Sequence, residues 1–241
     1  SVSRRIVEIT SQKLKEFQER PLSKVDLFSC FLDTIHRGGE AFIVALGIDL
    51  AGQKHVLGFW EGSSENAEIC EALFRDLEGR GLVLSRRVLF VTDGGSGIIK
   101  ALHDHFGKKL MHQRCTIHKD ARGMLLEFES WLREKNFSAA ESLLEALEEI
   151  LTIHRLKVPA LLRKTLHSTN AIESLFSKVR HCEKNLKRIR DSKMSQRWLG
   201  SVLLYCETEF RTIKGYQEIM EVVSVIEAEQ GERPEEKRRA A

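Results

Sequence analysis

Three acidic residues, Asp33, Asp93 and Glu173, stand where carboxylate oxygens could do chemistry. Asp33 lies among Phe31, Leu32 and Ile35, a setting in which an ionised carboxylate is costly to bury without a partner or a cation. Asp93 follows the apolar run Val88 to Val91 and Thr92, and opens the stretch Asp93-Gly94-Gly95-Ser96-Gly97. Glu173 sits early in a helix-forming segment, within His167-Ser168-Thr169-Asn170-Ala171-Ile172-Glu173-Ser174. Carboxylates that converge on one point are what two-metal phosphodiester chemistry requires, because each hard divalent cation takes oxygen ligands in near-octahedral geometry. Plainer accounts compete with this one. An aspartate ahead of two glycines is commonly a turn or cap residue. A glutamate in the first turn, with Thr169 or Asn170 as the cap, is ordinary helix electrostatics. The choice depends on whether the fold brings the three acids together.

Lys13 to Glu19 is charged and helix-prone, and Pro21 ends it. Val25 to Ile35, Phe42 to Leu50 and Lys54 to Trp60 are then strand-like, with Gly38-Gly39 and Ala51-Gly52 as turn signals, which predicts three antiparallel strands. Ser64 and Ala67 open a helix in which Ile69, Leu73 and Leu77 recur at helical spacing until Gly79 and Gly81. Val88 to Val91 reads as a buried central strand turning into a helix from Ser96 to His105, and Leu110 to Cys115 as a fifth strand. Met124 to Leu156 is almost wholly helix-forming, with Leu143, Leu144, Leu147, Ile150 and Leu151 as its apolar stripe, and Pro159 marks a break. Further helices are expected from Thr169 to Arg190 and from Gln196 into the 220s, before a disordered charged tail from Gly231 to Ala241. This is the element order of a ribonuclease H-like α/β fold, a mixed five-stranded sheet flanked by helices. In such a sheet the first and fourth strands are neighbours. Asp33, near the end of the first, would then meet Asp93 at the end of the fourth, and Glu173 on a late helix could reach the same point.

Four blocks, Ala45 to Asn66 (ALGIDLAGQKHVLGFWEGSSEN), Val91 to Leu102 (VTDGGSGIIKAL), Gln113 to Gly123 (QRCTIHKDARG) and Leu162 to Arg180 (LRKTLHSTNAIESLFSKVR), closely resemble, in order, blocks of Mutator-type transposases of bacterial insertion sequences. The resemblance implies a DNA strand-transfer enzyme in which Asp33, Asp93 and Glu173 are the catalytic metal ligands. It further implies two Mg²⁺ or Mn²⁺ ions per site, activating water or a 3′-hydroxyl for in-line attack at phosphorus. Expected partners are transposon ends and target DNA, with a homo-oligomer acting at the bacterial nucleoid in the cytoplasm, no membrane and no nucleotide cofactor. Cys115-Thr116-Ile117-His118 is similar to the family's C-x-x-H signature, expected to pack or hydrogen-bond beside the active site. A zinc site completed by His181 and Cys182 is the alternative for that pair. The implied organisation is a remnant of a DNA-binding region and linker helix (1–24), a first part of the core (25–123), a shortened all-helical insertion (124–165), core C-terminal helices (166–228) and the tail (229–241). Only Ser1 to Arg5 resembles the end of the family's helix-turn-helix region, and the chain opens without an initiating methionine, so a piece of a longer protein is expected.

Lys178, Arg180, Lys184, Lys187 and Arg188 follow Glu173 directly, and the 180, 184, 187 spacing sets several on one helical face, where phosphates would be held without regard to sequence. A solvated helix face is the competing account. Other motifs fail: a dinucleotide fingerprint needs glycine where Lys100 stands, a nucleophile elbow on Ser96 needs glycine where Ile98 stands, and no P-loop occurs. Five scattered cysteines form no disulfide framework, and a net charge of +3 over 241 residues identifies no partner by itself. Two further readings stand beside the transposase: a decayed core that binds nucleic acid without cutting it, and a ribonuclease H-like nuclease that hydrolyses without joining. The presence of all three acids disfavours the decayed core.

Overall fold

A computed structural model of the chain describes residues 2–62, 67–107, 110–115, 122–184 and 186–232. Gly38 and Gly39 take φ values of +62° and +88°, the left-handed backbone of a two-residue hairpin turn. They fold β1 (Leu27–Arg37) back on β2 (Glu40–Asp49), with Arg37 opposite Glu40. A second turn carries β2 into β3 (Lys54–Gly62), held by Asp49 Oδ1, which accepts the backbone N–H groups of Ala51 and Gln53, both at 2.9 Å. The chain leaves this antiparallel meander through α2 (Ala67–Gly79), then adds β4 (Leu89–Thr92), α3 (Ser96–Phe106) and β5 (Met111–Arg114). β4 pairs parallel with β1, and β5 parallel with β4, giving the sheet order β3-β2-β1-β4-β5.

Strand residues alternate between two apolar cores. One face, with Cys30, Leu32, Ile43, Val88 and Phe90, packs on Leu73, Phe74 and Leu77 of α2 and on Ile98 and Leu102 of α3. The other face, with Phe31, Ile35, Val44, Leu89, Val91 and Met111, packs on residues of α1 (Val2–Glu19), α6 (Thr152–Arg155), α7 (Ala160–Leu166), α8 (Asn170–Glu183), α9 (Ser192–Thr208) and α10 (Ile219–Glu232). Helix α4 (Arg122–Lys135) packs on α5 (Phe137–Ile150), which lies against β5. Helix α8 buries Ile172, Leu175, Phe176 and Val179, one stripe at helical spacing against the sheet. Among the described residues no helix is long and apolar enough to cross a membrane.

The mixed five-stranded α/β sheet is as expected, and the elements differ from expectation in detail. Strand β1 runs on to Arg37, so Asp33 lies inside it and not near its end; the parallel neighbour β4 is what stops there. The helix-forming stretch from Met124 to Leu156 is divided among three helices, α4, α5 and α6. Asn136 caps α5 through Oδ1 and the Ala139 N–H, and at Leu151 the side chain of Gln113 replaces helical partners, donating to Ile150 O at 3.0 Å and accepting from Ile153 N–H at 2.9 Å. Helix α8 stops at Glu183 instead of continuing to Arg190. The last helical region divides into α9 and α10 around Gly215, whose φ is +76°. Of the tail from Gly231, α10 takes in Gly231 and Glu232, and 233–241 lie outside the described residues.

Arg37 fixes α8 and α9 to the end of β1. Its guanidinium pairs with Glu183 at the end of α8 and donates to Ser195 O in α9 at 3.0 Å, with only 5% of the side chain exposed. Burial lowers the Arg37 pKa against the pull of Glu183, and burial raises that of Glu183 against the pull of Arg37, so desolvation outweighs attraction on both sides. Removing one partner strands the other. Arg37→Met should cost about 3–5 kcal/mol near pH 8. The lone Glu183 carboxyl, raised further, favours folding only while protonated, so that cost should shrink as pH falls towards 4.5 and below. The pair Arg37→Met/Glu183→Leu should recover most of it; urea unfolding of both variants at pH 5 and pH 8 measures each term.

Candidate active site

The parallel register of β1 on β4 runs from Ser29 opposite Leu89 to Leu32 opposite Thr92. Asp33 and Asp93 are the next residues of the two chains. Neighbouring strands lie about 4.8 Å apart, and side chains alternate between faces, so Asp33 shares the face of Phe31 and Ile35, the face that α8 covers. Asp33 is half-buried opposite Val44, and its Oδ1 accepts the Thr34 N–H at 2.7 Å. Asp93 is exposed, and its Oδ1 accepts the Gly95 N–H at 3.1 Å. Gly94 beside it has a φ of +101°, open to glycine and strained for other residues, so the chain turns sharply into α3. The turn account of Asp93 is therefore correct as far as it goes, and leaves the residue exposed at the end of the strand.

Glu173 occupies the first turn of α8. Thr169 is the N-cap residue, yet neither it nor Asn170 caps the helix with its side chain as expected. The Thr169 hydroxyl donates instead to Glu173 Oε1 at 2.7 Å, and its oxygen lies 3.7 Å from Cys115 Sγ. The Cys115 backbone N–H in turn donates to Thr92 O at 2.7 Å. A continuous set of contacts thus runs from the residue before Asp93, through Cys115 and Thr169, to the Glu173 carboxylate. Among the described residues no three His, Cys, Asp or Glu groups are close enough to hold a metal ion. The three acids share one face and one end of the sheet without being drawn into a single cage. As a donor set, three carboxylates suit a hard cation such as Mg²⁺ or Mn²⁺.

The zinc alternative fails on distance. Cys115 meets the N-terminal end of α8, whereas His181 and Cys182 lie at the far end of this 14-residue helix, about 20 Å away. Cys182 instead neighbours Cys206, whose thiol burial pushes up to about 12. His118 lies outside the described residues. Of the expected basic face, Arg180 and Lys184 are exposed on the stripe that begins at Glu173, and Lys178 pairs with Glu209 at 3.2 Å. Lys187 and Arg188 are exposed but follow the end of α8, so helical spacing does not reach them.

Sequence reasoning missed the groups beneath the Asp93 turn. Thr92 Oγ1 accepts the Gly94 N–H at 3.3 Å and meets His112 Nε2 at 2.9 Å. His112 Nδ1 lies 3.2 Å from Glu149 Oε1, and the Glu149 carboxylate also meets His103 at 3.3 Å and Arg114 at 3.6 Å. Arg114 leans over Gly94, contacting its carbonyl at 3.5 Å. Burial would raise the Glu149 pKa, but His112, His103 and Arg114 together hold it below the usual carboxylate value. Glu149 belongs to no motif; an acid beside a leucine stripe was its only signal. A carboxyl depressed in this way stabilises the fold above its unfolded value of 4.5 and loses that contribution as pH falls through the folded value. Glu149→Gln should therefore cost about 1–3 kcal/mol at pH 7, and melting curves of variant and parent should draw together below pH 4.5.

Comparison with known proteins bears on the same residues. The family model described as "Transposase, Mutator family" matches residues 1–125, which include Asp33, Asp93, Cys115 and His118 but not Glu173. Among curated relatives, the transposase for insertion sequence element IS1201 of Lactobacillus helveticus is 27% identical over 67% of this chain and 52% of its own length. That for IS905 of Lactococcus lactis is 26% identical over 86% of this chain and 60% of its own. That for IS256 in transposon Tn4001 of Staphylococcus aureus is 23% identical over 87% of this chain and 64% of its own. The chain thus spans between half and two-thirds of the length of these relatives. With more than half of its residues matched by the family model, this chain belongs to the Mutator family of transposases.

Proposed function

We propose that this chain is the catalytic core of a DDE-type DNA transposase, with a ribonuclease H-like fold, that cleaves and joins DNA strands at the ends of an insertion sequence. The observation that carries the reading is the β1–β4 register, which makes Asp33 and Asp93 the next opposed residues on the face crossed by α8 and Glu173. The sheet order β3-β2-β1-β4-β5, with the first three strands antiparallel and the last two parallel, agrees with a ribonuclease H-like core. Asp33, Asp93 and Glu173 would hold two Mg²⁺ or Mn²⁺ ions, which when bound supply an activated hydroxyl nucleophile and stabilise the leaving oxygen.

The remaining work falls to the protein. Asp33 is anchored within a long strand, and Asp93 is presented by a glycine turn braced by Thr92 and Arg114. Thr169 orients the Glu173 carboxylate by its hydrogen bond, and Cys115 ties that threonine to the end of β4. Arg180 and Lys184, on the stripe leading away from Glu173, and Lys187 and Arg188 beyond it supply positive charge for a DNA backbone. Action on two ends by a homo-oligomer in the bacterial cytoplasm belongs to the same proposal.

The test uses a labelled, pre-cleaved donor end with Mg²⁺ or Mn²⁺. The intact chain should join it to target DNA. Asp33→Asn, Asp93→Asn and Glu173→Gln should each abolish joining while keeping DNA binding, and Thr169→Val should lower it about 10–100-fold, as loss of a ligand's orienting partner does. Hydrolysis without joining would favour the nuclease, and binding without either product would favour a decayed core.

A further inference from the structure

Gly94 has no side chain to fix its backbone, and its φ of +101° lies in a region that glycine enters freely. Asp93 precedes it, so any swing of the peptide between them carries the carboxylate along. Both polar groups of Gly94 are nevertheless held. Its N–H donates to Thr92 Oγ1 at 3.3 Å, and its carbonyl meets the Arg114 guanidinium at 3.5 Å. The Arg114 side chain lies close over the glycine: a Cβ there would come within 2.9 Å of Arg114 Nε and 3.2 Å of its Cδ.

These two contacts lead back to one carboxylate. Thr92 Oγ1 meets His112 Nε2 at 2.9 Å, and His112 Nδ1 lies 3.2 Å from Glu149 Oε1 in a bent contact, with no other partner among the described residues. Arg114 Nε lies 3.6 Å from Glu149 Oε2. A carboxylate only accepts, so a ring with one proton carries it on Nδ1, and Nε2 then accepts from the Thr92 hydroxyl. The lone pairs of that hydroxyl stay available to the Gly94 N–H. Thr92 is fully buried and His112 is 5% exposed, so this series of carboxylate, imidazole and hydroxyl braces the turn and attacks nothing. Glu149 is itself fixed by the docking of α5 and α6 on β5. The carbonyl of the next residue, Ile150, accepts from Gln113 Nε2 at 3.0 Å, and Thr152 Oγ1 donates to His112 O at 2.6 Å.

We propose that Glu149 is a positioning residue of the active site, clamping Gly94 on both sides, through His112 and Thr92 and through Arg114, so that the Asp93 carboxylate is preset for a divalent cation. The inference rests on the transposase reading above and deepens it. It makes α5, which carries none of the three acids, a condition for the site.

The experiment joins two measurements on the full chain: Mn²⁺ titration followed by electron paramagnetic resonance, and hydrogen exchange of the Gly94 amide followed by NMR without metal. It compares the parent with Glu149→Gln, Thr92→Val, Thr92→Ser and Arg114→Met, below the melting temperature of each. His103→Gln is the control, since His103 meets Glu149 at 3.3 Å but has 55% of its side chain exposed and lies outside both arms of the clamp. Glu149→Gln, Thr92→Val and Arg114→Met should each weaken Mn²⁺ binding about 10–100-fold, as loss of a partner behind a metal ligand does. Glu149→Gln and Thr92→Val should also strip protection from the Gly94 amide. Thr92→Ser, which keeps the hydroxyl, should rescue both properties, and His103→Gln should match the parent. If the parent binds Mn²⁺ and Glu149→Gln keeps its affinity, the clamp is overturned and the transposase reading stands. Equal losses in His103→Gln would reduce Glu149 to a structural contact and overturn the clamp as well. A parent that neither binds Mn²⁺ nor joins DNA would overturn both.

Discussion

The site depends on one interaction, the parallel pairing of β1 with β4. The chain enters β4 only after leaving the meander through α2, so the pairing is made between segments about sixty residues apart, with Ser29 to Leu32 against Leu89 to Thr92. Its register is constrained by burial. Phe31 and Val91 must face one core, Cys30 and Phe90 the other, and a slip of one residue would turn every one of them to the wrong side. The same constraint that keeps the two cores apart therefore makes Asp33 and Asp93 opposite neighbours. Packing alone determines that pairing.

Glu173 is brought in by different means. Helix α8 is set down by Ile172, Leu175, Phe176 and Val179, held at its far end by Arg37 and Glu183 and at its near end by Thr169 and Cys115. Hydrophobic contact supplies most of the stability, since about 25 cal/mol attends each square ångström of apolar surface removed from water. The polar contacts at the two ends decide where along the sheet the helix comes to rest. The ion pair at the far end is a costly fastening, with desolvation dominating both partners. Its worth lies in direction more than in energy.

Much of this was legible in residue patterns. The glycine turns, the three-strand meander, the strand before Asp93 and the apolar stripe of α8 all follow from local chemistry. What could not be read is what distant side chains do to one another. The break at Leu151 exists because Gln113, on β5, supplies hydrogen bonds in place of the helix, and no property of residues 150 to 153 announces it. Thr169 stands at the N-cap position as its type suggests, but the use of its hydroxyl is a similar case. Beside a helix start a threonine is a natural cap, and only the nearness of Glu173 and Cys115 diverts its hydroxyl. Lys54 and Lys178 lie far apart in sequence and influence one another only after folding.

The mid-strand position of Asp33 sets it apart from the other two acids. Its backbone is gripped by β2 through a ladder that continues to Arg37, whereas Asp93 rides on a glycine turn and Glu173 on the first turn of a helix. The three carboxylates are therefore held in different ways. One is tied to the sheet and two are placed by contacts at the ends of other elements, so the geometry of the three is measured from β1 outward.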